Sequence, residues 1–135
     1  MQYAELTLGQ VAEVTRTITI ADIEAFAALT GDDNPVHLDE SFAAGTRFGG
    51  RIAHGMLSAG LISAVLGTRL PGTGAIYLGQ TLRFTAPVRP GDTITARAEV
   101  LELTPEKRRV RIRTTCTNQL GDTVIDGEAQ MLLLA

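Results

Sequence analysis

From Thr30 to Asp39 the chain reads Thr-Gly-Asp-Asp-Asn-Pro-Val-His-Leu-Asp, and seventeen residues after His37 it reads His54-Gly55-Met56-Leu57. These two segments hold both histidines of the chain and several carboxylates. An imidazole exchanges protons near neutral pH, and a nearby carboxylate can orient it or share a water with it. Asp32 and His37 stand five residues apart in a proline-stiffened stretch, so both side chains can reach one small volume. Such a pair is a candidate general acid/base dyad, of a kind worth about 10²–10⁴ in rate. Spacing alone leaves a plainer alternative, in which Asp32, Asp33 and Asn34 form a turn and His37 is an ordinary loop histidine. Gly55 supplies the missing electrophilic partner. It opens an apolar helix, where backbone N–H groups lack acceptors and carry the positive end of the helix dipole. A glycine there lets a carbonyl oxygen come close and be polarised, an arrangement worth on the order of 3 kcal/mol per donor. The alternative at Gly55 is that it only eases tight packing.

Other chemistries fit less well. His37, His54, Asp32, Asp33 and Asp39 could ligate a metal, but no two histidines stand four apart and no cysteine pair exists, so no metal is expected. The loop also lacks the central glycine and closing glutamate of a calcium-binding EF-hand. No G-x-S-x-G elbow surrounds Ser58 or Ser63, and Cys116 lies within a strand pattern on a core-facing position. No G-x-G-x-x-G turn is present, and no cofactor is expected.

The elements that must position these residues are legible in outline. Val11, Val14, Ile18 and Ile20 among polar neighbours predict a strand over 9–20. Ala21-Asp22 opens a short helix carrying Ile23, Phe26, Ala27 and Leu29, and Gly31 ends it. Residues 31–38 read as loop, because a proline at 35 forces extended backbone at Asn34. Asp39 reads as the N-cap of a further short helix over 40–44. From His54 to about Leu70 the pattern is apolar nearly all round, which predicts a buried helix. Past Pro71-Gly72-Thr73-Gly74 the chain reads as strands, over 75–84, 92–103, 107–118 and 123–134, separated by short turns. Val110, Ile112, Thr114 and Cys116 share one face of the third run and Arg109, Arg111 and Arg113 the other, a row that fits a solvated sheet face better than a phosphate contact. Consecutive strands on short turns imply an antiparallel sheet, and one apolar helix beside it implies a sheet that covers the helix. A sheet this small leaves an edge, so pairing with a second copy is expected.

At 135 residues the chain is about one domain long, and residues 1–135 are taken as a single domain. Its 44% apolar and 20% charged composition is that of a soluble globular protein. Fifteen acidic against twelve basic residues, with no basic block, argue against nucleic acid as a partner. The first residues show no secretory signal pattern, and the longest apolar run, 56–66, is too short and too interrupted to span a bilayer. A lone cysteine forms no intrachain disulfide, so a cytoplasmic setting fits best.

The residues also resemble a known family. Phe26-Ala27-Ala28-Leu29, then Gly31-Asp32-x-Asn34-Pro35-x-His37-x-Asp39, Ala43, Phe48 and Ile52-Ala53-His54-Gly55-Met56-Leu57 match it in order. Pro71-Gly72, Ile76-Tyr77-Leu78-Gly79-Gln80 and Phe84-x-x-Pro87-Val88-x-x-Gly91-Asp92 continue the match over nearly the whole chain. In these motifs the chain resembles the MaoC-like hydratases, particularly the short (R)-specific enoyl-CoA hydratases. The resemblance implies an α+β hot-dog fold, a long helix wrapped by an antiparallel sheet, and a homodimer as the active unit. It implies Asp32 and His37 as catalytic residues and the Gly55 N–H as the thioester-binding group, with Asn34 and Ser63 supporting the site by hydrogen bonds. The implied substrate is an acyl-CoA thioester, its acyl chain running past Leu61, Ile62 and Leu66 and against the last strand. Two rivals share the fold: an acyl-CoA thioesterase, with the carboxylate activating water toward the carbonyl carbon, and a non-catalytic acyl-CoA binding module.

Overall fold

The computed structural model describes residues 1–135. Cap chemistry sets its helices. Helix α1 spans Ile20–Thr30 and starts on a reciprocal box in which Thr19 accepts from the Asp22 N–H and Asp22 from the Thr19 N–H. The sequence points to Ala21-Asp22 as the start; the helix begins one residue earlier, at Ile20, and its cap is Thr19. Gly31 ends α1 in the left-handed region, at φ 82°, as its place predicts. Asn34 is extended and its side chain accepts from the Val36 N–H, beginning α2, Pro35–Leu38. The loop expected over 31–38 is therefore a helical turn in its second half. The proline that breaks the preceding segment has a φ already suited to a first helical position and lacks only an N–H that would be unpaired there. Asp39 caps α3, Glu40–Ala44, by accepting from Phe42 N–H. After a connection comes α4, Gly55–Thr68.

The strands are β1 Val11–Thr17, β2 Ala75–Gln80, β3 Arg83–Phe84, β4 Thr93–Thr104, β5 Arg109–Thr117 and β6 Thr123–Leu133. All pairings are antiparallel, in the order β1-β4-β5-β6-β2, with β3 also on β6. Helix α4 packs on one face of this sheet, with Ile62, Val65 and Leu66 in the same core as Ile94, Ala96 and Ala98 of β4 and Val110, Ile112 and Cys116 of β5. This is the hot-dog arrangement. On the other face of β5, Arg111 pairs with Glu128 at 3.1 Å and Arg113 with Asp126 at 3.5 Å, so the arginine row is an ion-paired, solvated surface.

One expectation needs correcting. An all-round apolar helix is expected to be covered all round, yet Met56, Gly60, Ser63 and Gly67 form an exposed stripe along α4, with Met56 55% exposed. These positions recur at the three- and four-residue steps of one helix face, opposite the sheet-facing Ile62 and Leu66. The stripe is made of small or flexible residues, so its exposure leaves no polar signature in the sequence.

Candidate active site

Three elements meet at the polar cluster: the turn after α1 carries Asp32, α2 carries His37, and the residue before α4 is His54. The Asp32 N–H donates to Thr30 Oγ1 at 3.1 Å and its carboxylate accepts from the Asn34 N–H at 3.4 Å, which folds the turn back on itself. His37 Nδ1 lies 2.8 Å from the Ile52 carbonyl oxygen. A carbonyl can only accept, so Nδ1 carries the proton and the neutral ring keeps its free lone pair on Nε2. The Arg51 Nε donates to the His37 carbonyl oxygen at 2.7 Å and holds α2 against the segment leading to α4. His54 Nε2 lies 2.9 Å from the Asp32 carbonyl oxygen and by the same reasoning is the donor. Its ring stacks on His37 at 3.8 Å between centroids.

A carboxylate oxygen of Asp32 and one ring nitrogen of each histidine lie within 4.8 Å of one another. No hydrogen bond or ion pair joins the Asp32 carboxylate to either imidazole, and groups this close can share one water, since two bonds of about 2.8 Å span the limit. These three groups are also the residues that could hold a metal ion, each ring having one nitrogen not spent on a carbonyl.

His37 and Gly55 line one cavity of about 390 Å³, with Met56, Ser58, Phe84 and Val88 among its walls. The N–H groups of Gly55 and Met56 have no acceptor within the chain, as the first turn of a helix dictates, and both residues border this cavity. Phe84, from β3, lies across Gly55: a Cβ built there would sit 2.5 Å from Phe84 Cε1. Any larger residue than Gly55 would force the ring or the helix terminus to shift.

The predicted site residues divide. Asp32, His37 and Gly55 come together, Asp32 exposed and meeting His37 from outside the cavity wall. Asn34 does not line that cavity and uses its side chain to cap α2. Ser63 lies two turns along α4 on the exposed stripe, beside a second opening of about 510 Å³ shared with Gly60, Tyr77, Leu78, Gln80 and Leu82. Met56 borders both openings. The apolar path beside α4 therefore follows Met56, Gly60 and Ser63. Ile62 and Leu66, expected on that path, are fully packed against the sheet. Phe84 was missed as a site residue; its signal was its place in a motif that reads as sheet, with nothing in the sequence to bring it across Gly55.

Comparison with known proteins shows the family. The model of the MaoC like domain matches residues 5–123. An (R)-specific enoyl-CoA hydratase of Rhodospirillum rubrum is 55% identical over 133 residues, which is 98% of this chain and 92% of that one. Among solved structures, the unliganded R-hydratase PhaJ1 from Pseudomonas aeruginosa superposes with a TM-score of 0.92 at 57% identity, covering 97% of this chain and 84% of the other. The (R)-hydratase from A. caviae gives 0.93 at 46% identity, covering 96% and 98%.

Proposed function

Since the chain belongs to the MaoC-like family, we propose that it is an (R)-specific enoyl-CoA hydratase, which adds water reversibly to a trans-2-enoyl-CoA to give the (R)-3-hydroxyacyl-CoA. The observation that carries the mechanism is the approach of an Asp32 carboxylate oxygen and a His37 ring nitrogen to within 4.8 Å, beside two free N–H groups. Asp32 and His37 hold the attacking water. Its O–H bond breaks towards Asp32 as its oxygen bonds to C3. The C2=C3 electron pair moves toward the thioester oxygen, which the Gly55 N–H receives as its charge grows. The proton taken by Asp32 passes to the free lone pair of His37 Nε2 and from there to C2, which completes the addition. The dyad takes one proton from water and gives one to carbon, so it ends as it began; the two transfers belong to the coupled pair. His37 works through Nε2, because the Ile52 carbonyl holds its other nitrogen.

The functional unit we propose is residues 1–135 as one domain around a single core running from Leu6 to Leu133, paired in a homodimer. Support for the pair comes from the open edges at β1 and β2 and from exposed Ile76, Tyr77 and Leu78 beside the apolar stripe of α4. No helix is long and apolar enough to cross a membrane, and we assign the protein to the cytoplasm.

The test is enoyl absorbance with Asp32→Asn and His37→Asn. Each variant stays folded and loses roughly 10²-fold or more in turnover. The wild type forms the (R)-alcohol and releases no free thiol from a saturated acyl-CoA. Near-normal turnover in either variant overturns the dyad, and thiol release would put a thioesterase in its place.

A further inference from the structure

His54 takes no part in the chemistry just described, yet it touches both residues that do. It is 2% exposed and held on three sides. The Phe26 ring of α1 lies 4.7 Å away, the His37 ring of α2 stacks at 3.8 Å, and Nε2 donates to the Asp32 carbonyl at 2.9 Å. Nδ1 is buried with no partner. An apolar side chain could fill the space between Phe26 and His37 without leaving a buried nitrogen unpaired. What only a donor at this place supplies is the bond to Asp32. The backbone of His54 also leads directly into α4, so the same residue fixes where the Gly55 N–H begins.

We propose that His54 is a positioning residue for the hydration step. It sets the separation of the Asp32 carboxylate from His37 Nε2 by bonding the backbone of one and bearing on the ring of the other. This rests on the Asp32–His37 assignment above. The bond and the stack are separable. Phenylalanine keeps a ring and loses the donor. Glutamine places an amide N–H near the position of Nε2 and loses the ring. Asparagine carries the same amide but falls short of Asp32.

The experiment measures kcat and KM on one enoyl-CoA for His54→Phe, His54→Gln and His54→Asn, beside Asp32→Asn, with folding checked by thermal melts. The expected result is that His54→Phe loses roughly tenfold in kcat with KM unchanged, and His54→Gln regains most of it, as one neutral hydrogen bond's worth of placement implies. If His54→Phe does not fold, the comparison of Gln with Asn decides: a lower kcat in Asn at equal KM supports positioning. Wild-type kcat in folded His54→Phe, or equal losses in Gln and Asn, overturns it and leaves His54 a core histidine. Activity in Asp32→Asn would instead bring down the dyad, so the two failures are distinct.

Discussion

Gly55→Ala tests how the helix terminus works. The new Cβ would lie 2.5 and 2.6 Å from Cε1 and Cδ1 of Phe84. Carbon atoms sit comfortably at about 3.5–4.0 Å, so ring or helix must yield by roughly 1 Å. Phe84 is 54% exposed on a two-residue strand, and the ring can swing outward. Overpacking of this kind costs about 1–3 kcal/mol, at the low end here, and is offset in part by about 0.4–1 kcal/mol from the stiffer unfolded chain. Stability therefore changes by about 1 kcal/mol or less. Catalysis suffers more. The new methyl and the shifted ring crowd the cavity that the N–H borders, and an oxygen kept about 1 Å beyond its usual distance of about 2.9 Å is no longer hydrogen-bonded. Loss of one such donor is worth about 3 kcal/mol, or roughly 10²-fold in kcat. The assay is steady-state hydration of trans-2-butenoyl-CoA for Gly55→Ala, Phe84→Ala and the double variant, with melts in parallel. Adding the methyl to Phe84→Ala should cost less than adding it to the wild type, because no ring is left to push. Wild-type kcat in Gly55→Ala would refute the role of its N–H, and equal losses in both backgrounds would refute the coupling to Phe84.

Two further outcomes are expected. The Arg16 guanidinium, at 2.7 Å, and the Thr19 N–H and hydroxyl hold the Asp22 carboxyl down at about 2. A group depressed below its unfolded value, near 3.8, stabilises the fold above that value and loses this contribution as pH falls towards 2; Asp22→Asn should flatten the melting temperature's decline over that window and lower stability at pH 7 by roughly 1 kcal/mol, the worth of a lost cap. An unchanged slope would count against the box. Burial pushes the Cys116 thiol up to about 12, so it should resist maleimide at pH 8 in the native state and react on unfolding in urea; prompt native labelling would contradict its core position.

Local chemistry wrote much of this fold into the sequence. Gly31 and Asp39 act as the caps their types and positions imply, and the alternation from Val110 to Cys116 is buried as it reads. The nearness of Asp32 and His37 is legible as a spacing, and Gly55 as a glycine at a helix start. What spacing alone does not carry is contact between distant segments. The turn at α2 depends on Asn34 capping what looks like a proline break. Phe84 reaches Gly55 only because β3 pairs with β6, and a two-residue strand leaves almost no pattern. The exposed stripe of α4 hides among apolar letters because glycine and serine mark neither face.

The partners that orient both histidines are main-chain oxygens, of Ile52 for His37 and of Asp32 for His54. No single side-chain replacement can delete either acceptor, since every amino acid at 52 or 32 brings its own carbonyl. The tautomers are thus inherited from the path of the backbone, and drift in the surrounding sequence leaves them intact so long as that path survives. Asp32→Asn consequently removes the proposed base while leaving the main-chain acceptor of His54 in place.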